Sequence, residues 1–301
     1  MLCTALATLA LTSPQYSPTP FGPVLSHCVH EVPNGAHLSE RPDGRVQVSG
    51  PDGVVTILPA CDTVGGKWPV RVRAASLPPN YDGWLQYTEL NVSDIGLHGS
   101  FDQFTSVMSV PDHPKRRADV LYFFPGLQNM DWIPLVDPEP TTFDIIQPVL
   151  QYPSSGWRGG WGLRSWYVTL HAGAMFSRMI DDIQPGDAIM CNMTRTGAQS
   201  WRVSGALRSD PRLSTVQEAT SERLQEQPWA YSAVAECYGC HGCDTYPTKP
   251  IVFSENKLYQ AGKLVDVPST AWKRNPKPAK KLMCNEATVV APSGDATISF
   301  V

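Results

Sequence analysis

From Tyr81 onward the chain is a series of short strand-like runs divided by turn signals, and this pattern limits its possible folds. Runs such as GWLQYTEL, DVLYFFPGL and AYSAVAECY are separated by turns such as QPGD at 184–187 and PSGD at 292–295. The 28 prolines also disfavour long helices, because proline breaks helix interiors. Short strands at this spacing predict an all-β fold, a β-sandwich or a barrel, over residues 81–301. The stretch STVQEATSERLQEQ is also compatible with a short helix, since Ser214 and Gln217 fit a capping box.

A small β-rich unit at residues 24–74 precedes this domain. The sequence GRVQVSGPDGVVTILPAC contains two alternating runs around residues 50–53, which predicts a hairpin. Cys28 and Cys61 bracket this hairpin and could close it with a disulfide. The stretch AASLPPN at 74–80 is typical of an extended linker.

The amino-terminal stretch MLCTALATLALTSPQ has the length of a signal-peptide apolar region, although it lacks the usual positive charge before it. We therefore expect residues 1–20 to be a signal peptide and the protein to be secreted. No later run is apolar for about 18 residues, so no membrane-spanning segment is expected. Asn91 and Asn192 begin Asn-x-Ser/Thr triplets and are candidates for glycosylation on this route. The net charge of −4 gives no electrostatic sign of a nucleic-acid partner.

The cysteines allow two interpretations, a metal site or disulfides. Cys237, Cys240 and Cys243 have ligand-like spacing, but His241 lies between them rather than at the usual distance for a fourth ligand. An oxidising compartment favours disulfides, and Cys243 with Cys284 is one plausible pair. We expect no metal and no cofactor. The chain has eight cysteines, and loss of Cys3 with a leader would leave an odd number, so one thiol would be free or intermolecular.

A single carboxylate lies in the strand-like run WAYSAVAECY. Side chains alternate along a strand, so Val234, Glu236 and Tyr238 share one face. An isolated Glu in such a run is commonly a solvent-facing polar position. A buried one would have a raised pKa and would need a partner.

The candidate partner lies in the run FDIIQPVLQY. Here Ile145, Gln147, Val149 and Gln151 share one face, and buried amides require hydrogen-bond partners. A carboxyl and a primary amide form a workable catalytic pair. The carboxylate would act as general base and then general acid, and the amide would stabilise an oxyanion.

Residues 81–300 also resemble a known family in the order of their motifs. The landmarks are GWLQY, SVPDHP, FFPGLQN, VLQY, SWYV, QPGDAI, NMTRTG and AVAECYG. In this order they resemble the eqolisin-type glutamic endopeptidases. The resemblance implies an antiparallel double-sheet β-sandwich of the concanavalin-like lectin and glucanase type. It also implies a polypeptide substrate and activity at acid pH.

The resemblance assigns roles to individual residues. It places the catalytic pair at Gln151 and Glu236, and it places substrate-binding aromatics at Phe124, Trp166 and Tyr167. The chain differs from the family at three cleft positions. It has Phe124 where a Trp is common, Gln128 where an acid is common, and Val168 where a Glu is common. The amino-terminal unit stands where the family carries a propeptide, and it could be removed or retained.

Two other functions remain open from the sequence. One is a non-catalytic β-sandwich that binds carbohydrate or peptide, with tryptophans such as those of SGWRGGWGLRSWY as stacking surfaces. The other is a structural protein that has kept the fold and lost the site. Substrate preference and oligomeric state are not determined by the sequence.

Overall fold

The computed structural model describes residues 15–61, 81–133, 142–154, 159–275 and 284–300. The remaining residues include most of the predicted signal peptide, the predicted linker and Trp157, and these predictions lie outside the described residues. Strands dominate the described residues, in the order β1 Tyr16–Thr19, β2 Gly22–Leu25, β3 Val29–Val32, β4 Ala36–Glu40, β5 Val46–Ser49, β6 Val55–Leu58, β7 Tyr81–Asn91, β8 Gln103–Ser109, β9 Val120–Gln128, β10 Asp144–Tyr152, β11 Trp161–Thr169, β12 Gly173–Ser177, β13 Ile180–Ile183, β14 Ala188–Gly197, β15 Ser200–Leu207, β16 Ser214–Thr220, β17 Trp229–Tyr238, β18 Ile251–Gln260, β19 Lys263–Leu264, β20 Lys273–Arg274, β21 Ala287–Val290 and β22 Ala296–Ser299. Short 3-10 turns lie at Ser26–Cys28, Val92–Ile95, Glu222–Gln225, Cys243–Thr245 and Ser269–Ala271.

Two large sheets form a β-sandwich, which confirms the all-β prediction. Sheet I has the strand order β20-β7-β17-β9-β10-β11-β12-β3, with β13 added on β11. Sheet II has the order β21-β22-β18-β8-β14-β15-β16-β4-β5-β6, with β19 added on β18. Strands of sheet II alternate buried and half-buried residues, as in the QFTSVMS run of β8, because one face packs on sheet I and the other faces outward. No helix in the described ranges has the length and apolar character needed to cross a bilayer.

Apolar side chains cover both faces of the central strands of sheet I. One face packs on sheet II, where Phe123 and Leu150 meet Met108 and Ile189. The opposite face, which we call the outer face, forms a separate aromatic-rich cluster. Central strands such as β9 are therefore buried along their whole length and do not show the polar alternation of β8.

The strands of the amino-terminal unit extend both sheets. Strand β3 pairs in parallel with β12 at the edge of sheet I, and β4 pairs in parallel with β16 in sheet II. The predicted hairpin is confirmed as β5 and β6, which continue sheet II beyond β4. Cys28 and Cys61 are disulfide-bonded, which joins the start of β3 to the end of this hairpin.

The stretch after residue 213 is a strand and not the helix that a capping box at Ser214 would start. Strand β16 buries Thr215, Gln217 and Ala219 in alternation, a period of two that a helix cannot satisfy. The capping residue is instead Ser221, whose side chain accepts a hydrogen bond from the Arg223 backbone N–H at the following 3-10 turn.

A hairpin of β1 and β2 lies on the outer face of sheet I. The two strands pair with Tyr16 opposite Leu25 and Thr19 opposite Gly22, and Pro20 and Phe21 form the turn. Phe21, Val24 and Leu25 are buried in the outer-face cluster. Residues 16–20 of the predicted signal peptide, 1–20, form β1 and the start of the turn, so the hairpin is retained only if a leader ends before Tyr16.

Candidate functional site

Glu236 lies on an inner strand of sheet I, on the outer face beneath the β1–β2 hairpin. It occupies β17 and is paired in register with Trp84 of β7 and Tyr122 of β9. Val234 and Tyr238 belong to the same face, as the alternation predicts. The Glu236 side chain is fully buried, and its Oε1 accepts a hydrogen bond of 2.9 Å from the Gly22 backbone N–H.

Two tyrosines beside Glu236 hold the backbone of β1. The Tyr122 hydroxyl donates to the Pro18 carbonyl at 3.1 Å, and the Tyr238 hydroxyl donates to the Thr19 carbonyl at 3.1 Å. Each bond joins residues more than 100 positions apart in the chain. Phenol hydroxyls on one sheet face therefore bind successive carbonyls of a peptide segment.

Gln147 continues this set of contacts at the hairpin turn. Its Nε2 donates to the Pro20 carbonyl at 3.1 Å, and the residue is fully buried. Its Oε1 is also buried and has no hydrogen-bond partner among the described residues. The same peptide segment is thus held by two side chains. The Glu236 carboxylate accepts from its Gly22 N–H, and the Gln147 amide donates to its Pro20 carbonyl.

Phe21, at the tip of the hairpin, fills a pocket of aromatic rings. It stacks on Phe143 with the ring centroids 3.9 Å apart, and it lies 5.0 Å from Trp132 and 5.5 Å edge-on to Trp84. Such offset and edge contacts are favourable beyond the area that they bury. Phe21 is fully buried, so the pocket encloses its whole side chain.

Gln151 lies in line with Glu236 across the sheet, but the two residues are not on adjacent strands. Tyr122 is paired with both residues, so β9 lies between them and their Cα atoms are separated by two strand spacings, about 10 Å. The Gln151 Nε2 donates to the Pro153 carbonyl at 3.0 Å and to the Ser154 carbonyl at 3.4 Å. It is turned toward its own strand end, while Glu236 is covered by the hairpin.

A cavity of about 340 Å³ lies beside the first strand of the hairpin. Gln151 and Tyr122 line it, together with Pro18, Arg164 and Trp166. Arg164 is held over the Phe176 ring, 4.2 Å from its centroid, and forms an ion pair with Glu31. Gln151 thus faces a cavity that the hairpin does not fill.

Burial, and then nearby charges, shift the pKa of Tyr122. Burial raises the pKa of the Tyr122 phenol well above its ordinary range, the Glu236 charge raises it further, and Arg164 opposes both effects. Tyr122 therefore remains a neutral hydrogen-bond donor throughout the range in which carboxyl groups titrate.

Two of the three predicted substrate-binding aromatics lie on the outer face. Phe124 packs edge-on against Trp84 at 5.7 Å, and Trp166 packs on Phe176 at 4.5 Å. Tyr167 points the other way, into the cluster between the sheets, because neighbours along a strand face opposite sides. Tyr167 therefore does not line the face that carries Glu236.

Two of the positions at which the chain differs from the family, Gln128 and Val168, are buried and contribute to packing or to a turn. Gln128 is buried, and its Nε2 donates to the Met130 carbonyl at 2.7 Å and the Trp132 carbonyl at 2.8 Å. It thereby shapes the turn that carries Trp132 to the Phe21 pocket. Val168 is buried among the apolar residues of the outer face.

The cysteine triplet after Glu236 forms disulfides. Cys237 is bonded to Cys240, and Cys243 is bonded to Cys284, the pair that the sequence made plausible. The two groups of described residues with metal-ligand spacing each contain a disulfide, so their cysteines are not available as thiolates. Cys191 is a buried free thiol whose pKa is raised by burial.

The two glycosylation candidates differ in setting. Asn91 caps the 3-10 turn at Val92–Ile95, where its side chain accepts from the Ser93 backbone N–H. Asn192 lies within β14, and its Oδ1 accepts from Gln103 and Thr194. Both side chains are half-buried, and their glycosylation stays a prediction.

A second cluster of ionisable groups begins at Asp144 and ends at a larger cavity of about 720 Å³. The Tyr167 hydroxyl donates to Asp144 Oδ1 at 2.8 Å and is 3.4 Å from Glu40 Oε2. Glu40 in turn forms an ion pair with Arg223 and lines the cavity with it. The pKa of Asp144 is raised well above its ordinary value, chiefly by burial and then by the Glu40 charge.

Sequence reasoning missed most groups that touch the hairpin. Tyr238 could have been found from its shared face with Glu236, and Gln147 from its shared face with Gln151, since alternation predicts both. Trp132 and Phe143 carry no local signal, because they lie at the ends of a segment whose course the sequence pattern does not show.

No family model matches the chain, and no curated protein matches it. Its structure is similar to that of scytalido-glutamic peptidase, solved with a transition state analog inhibitor. The TM-score is 0.48 with 12% identity, covering 73% of this chain and 100% of that one. It has the same values against SCP-B, a member of the eqolisin family of peptidases, solved in complex with the tripeptide Ala-Ile-His. These values describe a distant structural relation.

Proposed function

We propose that this chain is a secreted glutamic-type endopeptidase that acts at acid pH, with Glu236 as its general base and acid. The observation that carries the proposal is the peptide segment on the outer face of sheet I. Glu236 accepts from the Gly22 N–H, and Gln147 donates to the Pro20 carbonyl. The order of motifs that resembles the glutamic endopeptidases supports the same assignment.

The reaction needs only a carboxyl group, an amide and water. The Glu236 carboxylate takes a proton from water while the water oxygen bonds to the substrate carbonyl carbon. An amide N–H stabilises the oxyanion that forms. The C–N bond then breaks as Glu236 returns the proton to the leaving amine.

Two glutamines are candidates for the oxyanion donor. Gln151 is the residue that the family resemblance assigns, and it lines the open cavity. Gln147 is the residue whose amide contacts a peptide carbonyl in this structure. Separate Ala substitutions of the two distinguish these roles.

The structure corresponds to a blocked state, because the hairpin leaves Glu236 no exposed surface. Activity therefore requires displacement of residues 16–25. The Phe21→Asp substitution in the full chain favours displacement, since it leaves most of the aromatic pocket empty and buries a polar carboxyl group there, which is costly whether the group is charged or protonated. We expect F21D to hydrolyse an unfolded protein substrate between about pH 2 and 5, the range in which carboxyl groups titrate.

The decisive experiment places the site variants in this F21D background. Glu236→Gln should lower the rate of hydrolysis about 100-fold or more, since a general acid–base contributes about 10²–10⁴-fold. Loss of the true amide donor, by Q151A or Q147A, should lower it about 100-fold or more. Glu226→Gln and Gln225→Ala, the same changes at exposed positions, serve as matched controls. Activity that survives E236Q would rule out the proposal.

The carbohydrate-binding alternative gains no specific support. Trp161 and Trp166 of the tryptophan-rich stretch are buried, and the exposed large apolar residues of the described ranges include no aromatic. Binding on a glycan array without hydrolysis by any variant would favour that function over the peptidase.

A further inference from the structure

We infer that the outer face of sheet I is a binding groove for peptides that carry an aromatic residue followed by a glycine, with residues 16–25 as its resident occupant. The inference deepens the proposed function by naming the peptide class that the site takes. Peptide binding can also be measured without hydrolysis, so the two stand or fall separately.

The contacts of the occupant are those by which a protein holds a peptide rather than those of a core strand. Tyr122 and Tyr238 bind the carbonyls of Pro18 and Thr19. Gln147 binds the next carbonyl along, that of Pro20. Backbone groups are common to all peptides, so these contacts set the position of a peptide without selecting its sequence.

Selection comes from the aromatic pocket. Trp84, Trp132 and Phe143 enclose the Phe21 side chain on several sides at centroid distances of 3.9–5.5 Å. A smaller apolar side chain would leave part of this volume empty, and a charged one would lose its hydration. Flat aromatic rings are the side chains that fill such a pocket.

The next position is held from its backbone by Glu236. Gly22 has φ 95°, a conformation that residues with a side chain rarely adopt, and it directs its N–H to the Glu236 carboxylate. The aromatic side chain and this N–H come from adjacent residues, so one dipeptide satisfies both the pocket and the carboxylate. A peptide with an aromatic residue before a glycine therefore reproduces the buried contacts of the hairpin.

The chain connectivity is consistent with a displaceable occupant. The 3-10 turn Ser26–Cys28 follows β2, and then β3 enters sheet I under the restraint of the Cys28–Cys61 disulfide. Strands β1 and β2 pair only with each other and are not part of either large sheet. Displacement of the hairpin thus breaks no ladder of the sandwich.

The test uses the full chain and a fluorescein-labelled synthetic peptide, SPTPFGPV, with SPTPAGPV for comparison. Wild type should bind the Phe peptide at least about tenfold more weakly than F21D does, because the tethered hairpin competes at an effective concentration in the millimolar range. F21D should bind the Phe peptide at least about tenfold more tightly than the Ala peptide. Val55→Asp, the same kind of change at an exposed position, should behave as wild type.

A second variant guards against misfolding of the first. Gly22→Pro removes the N–H that reaches Glu236 and cannot adopt the positive φ, so it opens the groove and keeps Phe21. Equal binding of the two peptides by a folded open variant, or equally tight binding of the Phe peptide by wild type, would overturn the inference. If neither variant folds, the hairpin is part of the core and the inference is also overturned.

Mass spectrometry of the bound peptides separates this inference from the proposed function. Selective binding of the Phe peptide by a variant that hydrolyses neither this peptide nor an unfolded protein at acid pH would leave the groove established and refute the peptidase. Cleavage of both peptides at equal rates would support the peptidase and refute selection by the aromatic pocket.

Discussion

Asp144 should contribute more stability to the folded protein in acid than at neutral pH, and Asp144→Asn tests this directly. The Asp144 carboxyl is fully buried, 2.8 Å from the Tyr167 hydroxyl and close to the charged Glu40. Burial, and then Glu40, raise its pKa well above the ordinary 3.8, while hydrogen bonds from Tyr167 and Thr169 and the charge of Arg223 lower it less. The folded state therefore holds a proton that the unfolded state releases.

The sign and the size of the effect follow from linkage. Between pH 3.8 and the raised folded pKa the folded state binds more protons, so the free energy of unfolding falls as pH rises. One proton corresponds to a slope of at most about 1.4 kcal/mol per pH unit. The stabilisation is complete below the unfolded pKa and is lost as pH rises through the folded pKa. Asn cannot ionise, so D144N should lack this slope and should gain stability over wild type as pH rises.

His171, beside the same cavity, acts in the opposite direction. Its pKa is lowered from 6.5 to about 4, first by burial and then by the Arg223 charge. The unfolded state binds its proton first, so this contribution is present above pH 6.5 and is lost as pH falls toward 4. Removal of the Asp144 slope should therefore unmask a rise in stability with pH over this range.

The assay is urea unfolding followed by tryptophan fluorescence at several values between pH 3 and 7. Several tryptophans are buried, so unfolding changes their environment. Asp266→Asn, at an exposed carboxylate, is the matched control and should leave the wild-type slope in place. Identical slopes for wild type and D144N over pH 4–7 would refute the reasoning.

Two further predictions concern the covalent and steric framework. Replacement of both Cys243 and Cys284 by Ser should lower the free energy of unfolding by about 4 kcal/mol, because the disulfide closes a loop with a sequence separation of 41; an unchanged urea midpoint under non-reducing conditions would contradict this. Gly173→Ala should destabilise the protein far more than Gly186→Ala, although both have positive φ. A Cβ on Gly173 would lie 2.1 Å from the Cys28 carbonyl oxygen, whereas Gly186 has open space and should cost only about 1–2 kcal/mol of backbone strain; equal losses in thermal unfolding would show that the contact with Cys28 is unimportant.

Local periodicity predicted correctly which side chains share a face of their strand. Alternation placed Glu236 with Val234 and Tyr238, and it placed Gln151 with Gln147, because side-chain direction along a strand depends only on position. The same rule shows that Trp166 and Tyr167 cannot both line one face, which the family resemblance did not take into account. Cysteine order made the Cys28–Cys61 and Cys243–Cys284 bonds plausible without establishing either.

Strand order lay beyond the sequence. The pattern gave no means to tell that β9 separates β10 from β17, and this order places Tyr122 between Gln151 and Glu236. Pairing between strands depends on the packing of the whole sandwich, and the sequence of a single strand does not specify which strand it pairs with. The parallel insertion of β3 and β4 at the edges of the two sheets has the same origin.

The amino-acid sequence by itself therefore determined an all-β chain, the faces of its strands and the presence of one carboxylate among small apolar residues. The tertiary structure alone decided what covers that carboxylate. The Gly22 N–H that reaches Glu236 comes from 214 positions away, and Phe21 beside it reads in the sequence as an ordinary apolar residue. Periodicity is a property of neighbouring residues, whereas the occupation of a groove depends on the free energy of contacts between distant ones.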